Sequence, residues 1–98
     1  MYVGVCRLTV HVHGSQSLKE KRRVVRSLTD RVRSRFGASV AEVGGQDTWQ
    51  LAVLGVSVVS GDLRVAQKML DDIVRYAEEF SPEARITSSD SEVFTYED

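Results

Sequence analysis

The 98-residue sequence predicts an α+β domain with its elements in the order β-α-β-β-α-β, and three observations carry that expectation. An alternating strand comes first, a capped amphipathic helix follows it, and a long apolar run separates that helix from a second one.

From Tyr2 to Val12 the even positions Tyr2, Cys6, Leu8, Val10 and Val12 are mostly apolar, whereas the odd positions include Arg7, Thr9, His11 and His13. Period two predicts a half-buried strand. Gly14-Ser15-Gln16 breaks the pattern, and Ser17-Leu18-Lys19-Glu20 forms a capping box. In such a box the hydroxyl accepts from the Glu20 amide while the carboxylate reaches back. A helix over 18–36 follows, with Leu18, Val25, Leu28, Val32 and Phe36 at helical spacing and Gly37 placed to end it in a left-handed conformation.

Ala38 to Val43 reads as a short strand, and Gly44-Gly45-Gln46-Asp47 supplies the turn of a hairpin. The next run, Trp49 to Val59, is apolar on both sides, with Trp49, Leu51, Val53 and Val59 on one and Ala52, Leu54, Val56 and Val58 on the other. A central strand covered on both faces has this pattern. Ser60-Gly61-Asp62 offers caps for a second helix buried through Leu63, Ala66, Met69, Leu70, Ile73, Val74 and Ala77, with Pro82 beyond its end. A last strand is expected after Glu83, where Ile86, Val93 and Phe94 stand among serines and acids, but its register is open. Two β-α-β halves give the ferredoxin-like arrangement: a four-stranded antiparallel sheet with both helices on one face. The other face then calls for a cover, most simply a second copy of the chain.

One core suits this length, so residues 1–98 are expected to form a single domain. With 42% apolar and 28% charged residues, wholesale disorder is excluded. Cys6 is the sole cysteine, which excludes an internal disulfide and a cysteine-rich zinc site and suits a reducing compartment. No apolar run approaches the ~20 residues that span a bilayer, and the alternating start does not read as a signal peptide, so a cytoplasmic protein is expected.

Little reads as catalysis. There is no phosphate-binding glycine loop, nucleophile elbow or Cys-His pair in a known context, and no cofactor is expected. His11 and His13 share one side of a strand, but nothing nearby completes a metal site. Trp49 could stack on a base, yet a lone tryptophan beginning a core strand reads first as core or interface.

Charge is less even. Residues 18–36 hold eight of the thirteen basic side chains against Glu20 and Asp30, a local net of +6 in a chain whose remainder is −7. At about 100° per residue, Lys19, Arg22, Arg23, Arg26 and Arg33 fall on one stripe, and Lys21 and Arg35 border the apolar side. The clustering costs stability, because cations crowd the positive end of the helix dipole and Lys19/Arg23 and Arg22/Arg26 are like-charged pairs. Solvation and neutralisation by the acidic remainder is the plain explanation. An anion-binding face is the sharper one, with RNA favoured because arginine forks suit phosphates along a backbone.

Ser17-Leu18-Lys19-Glu20-Lys21-Arg22, Ser39-Val40-Ala41-Glu42-Val43 and Asp47-Thr48-Trp49-Gln50-Leu51-Ala52, leading to Leu54-Gly55, together resemble the YlxP-like family of small bacterial proteins. The resemblance covers nearly the whole chain and implies a ferredoxin-like fold in a cytosolic bacterial protein. The family has no established activity, and the frequent proximity of its genes to those of translation initiation and ribosome maturation factors implies association with RNA or the ribosome. It brings no catalytic residues. The resulting expectation is a non-enzymatic module that contacts structured RNA or a ribosomal particle through Lys19, Arg22, Arg23, Arg26 and Arg33, and forms a homodimer through its open sheet face. The alternatives are an interaction module for an acidic protein partner and, behind it, a small-ligand-binding or enzymatic domain.

Overall fold

The structure is a computed structural model and describes residues 1–14, 17–46 and 48–97. In chain order its elements are β1 (Tyr2–Val12), α1 (Leu18–Phe36), β2 (Ser39–Gly44), β3 (Leu51–Ser60), α2 (Leu63–Glu78) and β4 (Ala84–Thr95). The strands form one antiparallel sheet in the order β2-β3-β1-β4. This is the ferredoxin-like α+β arrangement that the periodicity predicts.

Alternation decides which side of the sheet the helices cover. Cys6, Leu8, Val10 and Val12 of β1 and Ala52, Leu54, Val56 and Val58 of β3 are buried, and they meet Val24, Val25, Leu28 and Val32 of α1 and Leu70, Ile73 and Ala77 of α2. Each fully buried Leu or Ile side chain contributes about 1.5–3 kcal/mol. Truncating Leu28, which is wholly buried, to Ala costs about 2–5 kcal/mol.

Both helices start as the sequence requires. The Ser17 hydroxyl accepts from the Glu20 amide at 3.2 Å, and the Asp62 carboxylate accepts from the Val65 amide at 3.1 Å. Loss of such a cap costs about 0.5–2 kcal/mol. Gly37 closes α1 at φ 63°, its N–H donating to the Arg33 carbonyl at 2.9 Å. Phe36, Tyr76 and Phe80 pack edge-to-face and tilted, with centroids 5.6 and 6.0 Å apart, and lock the end of α1 to the end of α2.

Three expectations need correction. Trp49 and Gln50 lie outside β3, whose pairing with β1 ends at His11 opposite Leu51, and Trp49 is 54% exposed rather than part of the core. Within one chain the apolar run is covered on one side, where Ala52, Leu54, Val56 and Val58 are buried; on the other Leu51 and Val53 are half-buried and Val59 is exposed, which leaves that side open to a cover from outside the chain. The second strand lies one residue later, at Ser39–Gly44, because the buried Ala38 is spent on leaving the helix cap. In α2 the apolar stripe is narrower, since Leu63 in the first turn is exposed.

The register of the last strand, which the sequence leaves open, is antiparallel to β1 with one irregularity. Thr9 faces Ser88 but Val10 faces Ile86, so Thr87 is an extra residue, as in a β-bulge.

Candidate nucleic-acid interface

The basic face follows from how α1 is anchored. Its buried side turns Val24, Val25, Leu28, Thr29 and Val32 onto the sheet, so Lys19, Arg22, Arg23, Arg26 and Arg33 are directed to solvent, and all five are exposed. Lys19, Arg22, Arg23 and Arg26, with Ser27 and Asp30, line a shallow trough along the outer side of the helix. From Lys19 to Arg26 the stripe runs about 10 Å, at 1.5 Å of rise per residue.

The five side chains are not equivalent. Lys19, Arg22 and Arg26 form no ion pair among the described residues. Arg23 reaches the Glu83 carboxylate at 2.9 Å, an exposed pair that ties α1 to the segment before β4. Arg33 donates to the Val40 carbonyl and lies 3.6 Å from Asp30, so its fork braces the start of β2. Arg35 spreads over the Tyr76 ring at 5.2 Å from guanidinium carbon to centroid. Of the acids outside α1, Glu42 at Lys21 and Glu83 at Arg23 are the ones that pair with its bases among the described residues.

Lys21 is a further correction. It does not border the apolar stripe but lies at its centre, 1% exposed. Its ammonium donates to the carbonyls of Gly45, Thr48 and Leu51 at 2.6, 2.7 and 3.0 Å, with Glu42 Oε2 at 3.7 Å. Three carbonyls and a carboxylate replace the hydration shell that a buried ammonium loses. They also explain why β3 begins late: backbone carbonyls on both sides of Trp49 are committed to the lysine. The signal was present, since 21, 25, 28 and 32 repeat at the spacing of a single buried seam.

The opposite face of the sheet carries Val3, Val5, Val53, Val59 and Phe94 together with Arg7, whose guanidinium lies 3.5 Å from Asp90. A depression of about 550 Å³ lies there over Gly55, flanked by Arg7, Val43, Ser57, Asp90 and Glu92. Cys6 lies beneath the sheet, and its burial pushes the thiol pKa up, against a lowering by the Ser91 hydrogen bond and with a smaller push from Asp90. His11 and His13 stack edge-to-face at 4.7 Å. No three His, Cys, Asp or Glu side chains gather into a metal-binding group among the described residues. No described helix is long and apolar enough to cross a membrane.

Known proteins agree with this fold. A crystal structure of a mutant of SnoaB, a cofactor-independent oxygenase from Streptomyces nogalater, superposes with a TM-score of 0.51 at 15% identity. The match covers 99% of this chain and 94% of that one, and at such identity it is a likeness of fold alone. The uncharacterized protein YlxP of Bacillus subtilis is 33% identical over 92 residues, which span 94% of this chain and 99% of that protein. Residues 3–91 match the model of DUF503, described as a protein of unknown function, and this chain therefore belongs to that YlxP-like family.

Proposed function

We propose that this chain is a non-enzymatic, cytoplasmic RNA-binding module whose α1 grips the phosphate backbone of structured RNA, free or within a ribosomal particle. One observation carries the reading: Lys19, Arg22 and Arg26 stand along one outward face without an ion partner among the described residues, although the chain as a whole is slightly acidic. Like charges kept together at a local cost suit a polyanion, which repays the cost by counterion release. Arg23 joins them by exchanging Glu83 for a phosphate, since an exposed pair is worth only about 0–1 kcal/mol. Arg33 has a fixed role at Val40 and contributes field rather than a free fork.

The test is binding of a fluorescently labelled ribosomal RNA fragment at several salt concentrations by the wild type and by a Lys19→Glu/Arg22→Glu/Arg26→Glu variant. Wild-type affinity should fall log-linearly with salt, and the variant should bind far more weakly with a slope lower by about two to three units. Equal binding by the two, or no salt-sensitive binding by either, sinks the reading. Acidic proteins are the competing partners, and a complex that survives RNase in a pull-down favours them.

The second proposal concerns the open face. Val3, Val5, Val53, Val59 and Phe94 give it an apolar content suited to a second copy of the chain. Four strands about 4.8 Å apart and averaging about ten residues offer roughly 600 Å² per copy, in total above the ~1,000 Å² of a specific interface. Sedimentation at high micromolar concentration should find a dimer.

A further inference from the structure

The exposed Trp49 lies just before β3, apart from the apolar residues of the open face. The segment that carries it is fixed, not free: Lys21 holds the carbonyls of Thr48 and Leu51 on either side, the Thr48 amide donates to the Gly45 carbonyl at 3.1 Å, and the Val12 amide donates to the Gln50 carbonyl at 2.8 Å. A large ring in water on a clamped backbone has already lost the freedom that binding would otherwise cost it.

The end of the sheet where it stands is polar and carries cations, with Glu83 there too, paired with Arg23. The Val12–Gln50 bond brings Trp49 to the end of the sheet where β1 finishes, the end that carries His11 and His13. Arg85 faces His11 across the β1–β4 pairing. The first turn of α1 reaches the same end, because Lys21 of that turn supplies the clamp, and Lys19 and Arg22 are its neighbours in the helix. The apolar pairs of the open face, Val3 with Val59 and Val3 with Phe94, lie at the other end of β1. A second copy seeks apolar neighbours, whereas a nucleic-acid base seeks a ring among cations.

We infer that Trp49, at the end of the sheet that also carries His11 and His13, is a stacking site for an unpaired base of the RNA whose phosphates lie along α1. This rests on the RNA reading of α1 and adds to it what the helix lacks, a means to prefer RNA with a loop or bulge over a continuous duplex. Unstacked bases are the part of a folded RNA that aromatic side chains can reach. Trp49 and Lys21 thus have joined roles, the lysine as a positioning residue and the tryptophan as the contact.

Trp49 is the sole tryptophan, so its emission reports on this site alone. The full chain is titrated with an RNA hairpin bearing an unpaired adenine loop and with a blunt duplex of the same stem, while anisotropy of labelled RNA follows binding independently. The hairpin should quench the emission and bind more tightly than the duplex. Trp49→Ala should weaken hairpin binding about ten- to a hundredfold and remove its advantage, whereas Trp49→Phe should keep much of it; neither should change the salt slope, which belongs to α1. Melting curves check that both variants fold. RNA that binds with normal salt dependence, leaves the emission unchanged and tolerates Trp49→Ala overturns the stacking site while α1 keeps its role. Emission that shifts with protein concentration in the absence of RNA assigns Trp49 to a second copy and overturns it as well. Absence of RNA binding in the anisotropy overturns both readings together.

Discussion

Nζ of Lys21 and Oε2 of Glu42 lie 3.7 Å apart, and that carboxylate oxygen is buried with no hydrogen-bond partner among the described residues. The ammonium answers first to the three carbonyls of the hairpin, and the carboxylate supplies charge at longer range. Because Glu42 is partly open to water at its other end, the pair is one-sided: the lysine depends on its surroundings more than the glutamate does.

Lys21→Met should therefore lower stability by about 3–5 kcal/mol, as breaking a buried, hydrogen-bonded charge does. Glu42→Gln should cost much less. Urea midpoints of the two single variants and the double variant measure the coupling, which should be favourable and detectable.

Gly45 adds a second constraint on the same turn. Its φ is 77°, and a Cβ there would lie 2.7 Å from the Leu51 carbonyl oxygen, one of the atoms that Lys21 binds. Gly45→Ala should cost roughly 2 kcal/mol or more, combining left-handed strain with that contact. Gly61, which has open space at its Cβ position and no positive φ, is the control, and Gly61→Ala should change the unfolding free energy by less than about 1 kcal/mol.

Arginines on one stripe should separate by role. Arg33→Ala removes a charged donor from the Val40 carbonyl and should destabilise by about 1 kcal/mol, below the usual range for charged hydrogen bonds because the side chain is half exposed. Arg22→Ala should stay within about 0.5 kcal/mol of the wild type. Thermal melts decide this, and reversed outcomes would mean that the brace on β2 is not where the Arg33 fork places it.

Cys6 should resist alkylation in the folded protein and react at once when urea unfolds it. Burial both shields the thiol and pushes its pKa up, so the thiolate is scarce at neutral pH. The sign of the linkage follows: a raised value favours the folded state fully below the ordinary thiol range, and that contribution is lost as pH rises through it. The rate of iodoacetamide labelling against urea concentration reads the effect, and rapid labelling without urea contradicts it.

Periodicity made most of the fold legible. The β1 alternation, the Ser17 cap and the Gly37 terminus each rest on interactions among near neighbours, which sequence spacing expresses directly. The β4 register was not legible because it depends on pairing with a strand about eighty residues earlier, and because serines and acids mark neither face. Trp49 was misplaced for a different reason. Its surroundings depend on a lysine 28 positions away, and a buried cation is the element that hydrophobic patterning treats as surface. The basic stripe was legible as charge, but the partners of Arg23 and Arg33 are tertiary, so only the structure separates the braced arginines from the unpaired ones.

β4 also bears on how the chain behaves in crowded solution. It is twelve residues long and forms one border of the sheet, so a row of backbone donors and acceptors faces outward, a template on which strands of other molecules could add. Two such borders meeting antiparallel in a register centred on Ser91 would set Asp90 and Glu92 of one copy against Glu92 and Asp90 of the other, and like charges opposed across strands are unfavourable. The bulge at Thr87 further breaks the straight run that a growing fibre requires. The border at β2 is half as long and has its own irregularity after Glu42. The polar, irregular margins of the sheet thus guard against runaway polymerisation, and leave the broad face as the surface for the closed pair proposed above.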